Sequence, residues 1–292
     1  MQHREVVLIG LGQMGSRYGR RLLDAGVKLT VWNRSQHRTQ PLAELGARVA
    51  PSASAAIASG RIVICALENS AAFSSTLLSP EALDSLSPEH IVIDTSTVNP
   101  KDSCTASDIL STRGTRYLDA PVSGGTHGAA EGTLTIFVGG KPDDFHVVAP
   151  VLEILGTPHL LGPTGAGHKA KLANQVMVAV TIGAAAEGLF LAQRVGLDPA
   201  QLLSAFRGGF ADSRILREHG DRMARSNFTP GAANRVFLKD LNAVASMADE
   251  QSTVLPLLLH CQRAFSELIA SGLGEHDHSS YFEYLSMLNS SR

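Results

Sequence analysis

The stretch from Gly165 to Val195 constrains the chain most. It begins Gly165-Ala-Gly167-His-Lys-Ala-Lys171-Leu-Ala-Asn174-Gln175 and continues through Ala, Val, Leu, Ile and Gly without a proline. That pattern predicts one long helix. At 1.5 Å per residue, about thirty residues reach roughly 45 Å, so the helix is expected to pass from one compact unit into another. Its segment Val176 to Ala192 is apolar enough to suggest a membrane span, yet it is rich in Ala and Gly and carries Glu187. A helix closely packed by neighbours, partly those of a second subunit, is the expectation instead. Lys171, Asn174 and Gln175 stand at i, i+3 and i+4, which puts an amine and two carboxamides on one face. Alone, that triplet also suits a solvated helix end.

Ahead of this helix the pattern is α/β. Glu5 to Ile9 is a continuous apolar run that feeds directly into Gly10-Leu11-Gly12-Gln13-Met14-Gly15 and then a helical pattern, Ser16 to Ala25. Gly26 stops that helix before a second strand, Lys28 to Trp32. In this context the glycines predict a dinucleotide site: Gly10 for the tight turn, Gly12 for close approach of a pyrophosphate, Gly15 for helix-on-strand packing. The second strand ends in Asn33-Arg34-Ser35, where an NAD site usually places a carboxylate. Arg34, with the polar groups of Asn33 and Ser35, suits a 2′-phosphate, so NADP is expected over NAD.

Further strands are expected at Arg61 to Ala66, His90 to Asp94, Tyr117 to Pro121 and Thr133 to Val138. The sum is a doubly wound sheet that binds ligands beyond the carboxyl ends of its strands. Two of those ends carry small polar residues, Asp94-Thr-Ser-Thr97 and Ser123-Gly124-Gly125. Such a turn lets a carboxylate approach backbone N–H groups, with the Ser123 hydroxyl as a further donor, although a Ser-Gly-Gly turn alone is more often only a turn. Beyond the long helix, Ala200 to Phe206, Asp212 to Ser226, Ala232 to Glu250, Leu255 to Ser271 and His278 to Leu288 read as helices, with Pro230-Gly231 as a break. Lys239-Asp240 lies inside one of them. His276-Asp-His278 offers two histidines with no third ligand in view, so no metal site is expected.

At 292 residues the chain can bury two cores, and a net charge of −2 gives no reason to expect nucleic acid or an anionic membrane as partner. Three scattered cysteines define neither a disulfide framework nor a zinc set, which suits a reducing, cytoplasmic setting. A dinucleotide-binding unit over 1–163 and a helical substrate and oligomerisation unit over 164–292 are expected.

Taken together, Gly10-Leu-Gly-Gln-Met-Gly15, Asp119-Ala-Pro-Val-Ser-Gly-Gly125, Gly132-Thr-Leu-Thr, Gly165-Ala-Gly-His-Lys-Ala-Lys171 and Lys239-Asp-Leu241 resemble the β-hydroxyacid dehydrogenase family. That family includes 3-hydroxyisobutyrate dehydrogenase, tartronate semialdehyde reductase and relatives of 6-phosphogluconate dehydrogenase. The resemblance implies a Rossmann-like domain followed by an all-helical one, assembled as a homodimer or homotetramer, acting on a small carboxylate-bearing substrate. It implies Lys171 as the catalytic lysine and Ser123, Gly124 and Gly125 as the carboxylate grip. Asn174, Gln175, Lys239 and Asp240 fall on the substrate side, and Leu11, Gln13, Met14, Leu67, Thr97 and Lys239 on the cofactor side. Two departures stand out: Gln175 replaces the second of a usual Asn-Asn pair, and Leu67-Glu68 replaces a usual Leu-Pro. An imine reductase-like enzyme and a non-catalytic NADP-binding scaffold share this architecture, but Lys171 and Ser123 argue against the first and the retained Lys171 against the second.

Overall fold

The computed structural model describes residues 5–229, 231 and 233–290; Pro230 and Ala232, expected at a break and a helix start, lie outside the described residues. Two compact units emerge, 1–171 and 172–292, with the division inside the long helix. The reason is local, because the first turns of that helix are bound to the sheet of the first unit.

Among the described residues that sheet has nine strands: β1 (Glu5–Ile9), β2 (Lys28–Trp32), β3 (Arg48–Val49), β4 (Ile62–Cys65), β5 (Ile91–Asp94), β6 (Arg116–Asp119), β7 (Val122–Ser123), β8 (Leu134–Gly139) and β9 (Gly156–Gly162). The order is β3-β2-β1-β4-β5-β6-β8-β7, with β9 also pairing β8. From β3 to β6 all pairs are parallel, which gives the 3-2-1-4-5-6 order of a Rossmann-like domain. β8 runs antiparallel to β6 and β7 and parallel to β9.

The continuous apolar runs are explained by burial on both faces. Val6, Leu8, Ile62, Ile64, Ile91 and Ile93 enter one core, whereas Val7, Ile9, Val63, Cys65 and Val92 enter the other. Helices α1 (Gln13–Asp24), α2 (Gln40–Ala43), α3 (Ala53–Ile57), α4 (Ser70–Leu77), α5 (Pro80–Asp84), α6 (Pro100–Ser111), α7 (Gly125–Glu131) and α8 (Pro142–Leu152) complete the unit.

The long helix α9 spans Ala166–Arg194. In the second unit it is followed by α10 (Pro199–Phe206), α11 (Asp221–Ala224), α12 (Asn234–Glu250), α13 (Pro256–Leu268) and α14 (Tyr281–Ser290). The expected helix Asp212 to Ser226 is present over residues 214–224, with a π-helical stretch, Leu216–Gly220, that runs directly into α11. Leu172, Ala179, Ile182, Ala186 and Leu189 form one stripe of α9, packed with Phe237, Leu241, Val244 and Phe265. Burial of α9 is thus confined to a stripe in the chain itself, because Met177 is 72% exposed and Leu191 65%.

Asp277 ties the end of this unit together. It takes contacts from Arg222 Nε (3.2 Å) and His219 Nδ1 (3.3 Å), and the Gly231 and Ser279 N–H groups donate to it. Burial raises its pKa, but the His219 hydrogen bond and charge, then the Ser279 amide, outweigh that and hold the carboxyl well below its ordinary range. His276 sits 3.3 Å from Glu283, and His278 stacks on Phe237 with centroids 4.3 Å apart, so this trio serves local packing.

Candidate active site

The carboxyl ends of the parallel strands are stitched to one another. Gly10 N–H donates to Trp32 O, Ala66 N–H to Ile9 O, Thr95 N–H to Cys65 O and Ala120 N–H to Asp94 O. Gly10 has φ +93°, and a Cβ there would lie 2.4 Å from Ala66 O. A Cβ on Gly15 would fall 1.9 Å from Gly10 O, so Gly15 closes the turn on itself rather than merely packing helix on strand. Gly12, the N-cap of α1, has open space around it and no side-chain cap, which leaves the first-turn N–H groups of α1 to a ligand.

Asn33 shapes this loop. Leu11 N–H donates to its Oδ1 at 2.8 Å, and its Nδ2 donates to Ser35 O at 3.0 Å. Its carboxamide is thus engaged within the chain, whereas Arg34 and Ser35 are exposed at the end of β2. Leu67 N–H donates to Ser96 Oγ (3.2 Å), joining the turns after β4 and β5; Thr97 stands just beyond. Ser123 ends β7 opposite Thr135, and Gly124 (φ +126°) and Gly125 (φ +61°) then turn into α7 through conformations that L side chains rarely adopt.

A buried carboxylate that the sequence reading passed over organises the start of α9. At the end of β6, Asp119 accepts from Gly165 N–H through Oδ1 (2.7 Å) and from His168 N–H through Oδ2 (2.8 Å). It therefore acts as an N-terminal cap delivered from the sheet, an interaction worth about 0.5–2 kcal/mol at ordinary caps. The approach is as close as backbone permits, since a Cβ on Gly139 would lie 2.4 Å from Asp119 Oδ1 and one on Gly167 2.3 Å from Phe137 O.

His168 is wholly buried in the same cluster. Its Nε2 lies 2.9 Å from Ser96 O, and its Nδ1 makes a 3.3 Å ion-pair contact with Asp119 Oδ2, off the ideal hydrogen-bond direction. Both ring nitrogens face acceptor oxygens, an arrangement that favours the protonated ring. Burial pushes its pKa down, but the Asp119 hydrogen bond, the charges of Asp94 and Asp119 and the Ser96 carbonyl together raise it. Asp94 is itself pushed up, chiefly by burial, with His168 and Ser96 opposing.

One turn beyond His168 lies Lys171, only 8% exposed. In the second unit, Asn174 Nδ2 donates to Gln175 Oε1 (3.1 Å), and Gln175 Nε2 donates to Asp240 Oδ2 (2.8 Å). Lys239 Nζ lies 3.4 Å from Asp240 Oδ1. Four residues expected on the substrate side are thus one connected group.

Residues 5–180 match the family described as the NAD binding domain of 6-phosphogluconate dehydrogenase. Residues 165–285 match that described as NAD-binding of NADP-dependent 3-hydroxyisobutyrate dehydrogenase. The chain belongs to the β-hydroxyacid dehydrogenase family. It is an NAD(P)-dependent oxidoreductase acting on hydroxyl groups. A similar relative is 2-hydroxy-3-oxopropionate reductase of Escherichia coli K12, 40% identical over 68% of each chain. The mitochondrial 3-hydroxyisobutyrate dehydrogenase of Drosophila melanogaster is 30% identical over 97% of this chain and 89% of its own. Among solved structures, Mycobacterium tuberculosis 3-hydroxyisobutyrate dehydrogenase with L-serine has TM-score 0.87 at 27% identity, covering 97% of this chain and 99% of that one.

Proposed function

We propose that this member of the β-hydroxyacid dehydrogenase family interconverts a small β-hydroxy acid and its semialdehyde or keto acid, with NADP(H) preferred and Lys171 as general acid and base. The observation that carries the reading is Lys171 itself, a buried lysine one turn after a helix start bound at the ligand-binding edge of the sheet. Lysines are seldom buried without a task, and an amine can protonate a developing alkoxide or, when neutral, take the proton back.

The first-turn N–H groups of α1 and the open space at Gly12 fit a pyrophosphate, and exposed Arg34 fits a 2′-phosphate. When bound, the nicotinamide supplies or accepts the hydride. Ser123, Gly124 and Gly125 hold the substrate carboxylate. The 40% identical relative favours 2-hydroxy-3-oxopropionate as the first substrate to try. A homodimer or homotetramer is the proposed assembly.

The test is NADPH and NADH consumption with 2-hydroxy-3-oxopropionate, succinic semialdehyde and glyoxylate, against a set of cyclic imines. Turnover of a carboxylate aldehyde, faster with NADPH, is expected. Turnover of imines alone would replace this reading with an imine reductase, and tight NADPH binding with no turnover would leave a binding scaffold.

A further inference from the structure

We propose that Asp119 and His168 are positioning residues that set the Lys171 amine, through the backbone and rotation of the first turn of α9. The inference rests on the lysine reading above and adds how that lysine is held.

Three observations within the first unit carry it. Asp119 Oδ1 and Oδ2 take the N–H groups of Gly165 and His168, so a carboxylate rooted in β6 fixes where α9 begins. The His168 ring, between Asp119 and the Ser96 carbonyl, fixes how the turn is rotated about its axis. Gly139 and Gly167 leave no room for a Cβ, so the turn cannot shift toward the sheet without a backbone clash. His168 and Lys171 are three residues apart and lie on one face of a continuous helix, so a change in pitch or rotation at the first is passed to the second. Misplacing a reacting group by about 1 Å costs on the order of a hundredfold in rate. The Asp119–His168 pair is buried, and among the described residues no hydrogen bond joins it to the cofactor-binding turn at Gly10 to Gly15; its link toward the cofactor side is the Ser96 carbonyl, since the Ser96 hydroxyl accepts from Leu67 N–H. Its loss should therefore spare the pyrophosphate-binding turn.

The experiment is a double-variant cycle on the full-length protein with NADPH and 2-hydroxy-3-oxopropionate, or the panel aldehyde that turns over fastest. Asp119→Asn keeps the volume but turns an amide NH2 toward a backbone N–H; His168→Gln keeps a donor for Ser96 O and removes the ring contact with Asp119. Each is expected to lower kcat about 10–100-fold, leave NADPH affinity within about twofold, and change the residual rate less than about twofold when added to Lys171→Ala. An equal fold loss in both backgrounds would show that the pair acts independently of the lysine and would overturn the proposal. Unchanged kcat in either folded variant would do the same. Lys171→Ala turning over at the unmodified rate is a different pattern, which removes the lysine reading and the positioning role with it. Where Asp119→Asn does not fold, His168→Gln decides the matter alone.

Discussion

Gln175 Nε2 donates to Asp240 Oδ2 at 2.8 Å, joining α9 to α12 through a glutamine at a position where the family usually has asparagine. The extra methylene is what lets the amide reach a buried carboxylate, which Lys239 also approaches. Gln175→Asn should break that bond and leave Asp240 partly unsatisfied, costing about 1–3 kcal/mol in stability. It should also alter relative kcat/KM among small aldehydes while NADPH affinity stays near its original value. Thermal unfolding and the aldehyde panel check both halves, and an unchanged ranking of substrates would show that Gln175 plays no part in selectivity.

If Lys171 supplies and removes the proton, Lys171→Ala should bind NADPH normally while kcat falls about 10²–10⁴-fold. Fluorescence titration with NADPH alongside steady-state rates separates the two. A kcat within about threefold of the unmodified enzyme would take the amine out of the chemistry.

Much of this arrangement was legible in the chain because its signals are local. The apolar runs of β1, β4 and β5, the glycines after β1 and the proline-free α9 each announce themselves within a dozen or so residues. β9 does not, since Gly156, Pro158 and Gly162 read as a loop and the strand forms by pairing with β8. The π-helical stretch at Leu216–Gly220 is hidden for a related reason, as a 3.6-residue pattern cannot reveal one wider turn. Asp119 and His168 were missed because they are 49 residues apart in sequence, and no periodicity links a strand end to a distant helix start. The usable signal was weak: a carboxylate closing an apolar strand, and a histidine just after a glycine and just before the candidate lysine.

Cofactor choice rests on Arg34, exposed beside an asparagine already engaged with Leu11 and Ser35. Arg34→Asp replaces the proposed phosphate partner by a like charge, so NADPH affinity should fall at least about tenfold while NADH binding holds or improves. Paired titrations measure the ratio. Equal affinities for the two cofactors in the unmodified protein would end the NADP preference.

Asp277 predicts an acid-dependent stability. Its folded pKa is depressed, so its contribution is fully present above the unfolded aspartate value of about 3.9 and is lost as pH falls from there toward the folded value. Asp277→Asn should lower the melting temperature at pH 7 and flatten the decline below about pH 4. Parallel melting curves of the two proteins at pH 7 and in acid would expose the opposite result, a constant difference between them.

The last prediction concerns assembly and starts from the two sides of α9. One side carries Ala179, Ile182, Ala186 and Leu189 into the core of the second unit. The other presents Met177, Ala184, Gly188 and Leu191 to the surface, with spacings of three, four and seven that keep them on one face. Small residues between two exposed large apolar ones suit close approach of another helix, and burying Met177 and Leu191 would each contribute about 1.5–3 kcal/mol. Met177→Asp and Leu191→Asp should therefore lower the oligomeric state by sedimentation at micromolar protein, without loss of the helical circular dichroism signal. If the unmodified protein sediments as a monomer, or if both aspartate variants keep its assembly, this face of α9 is not the subunit contact.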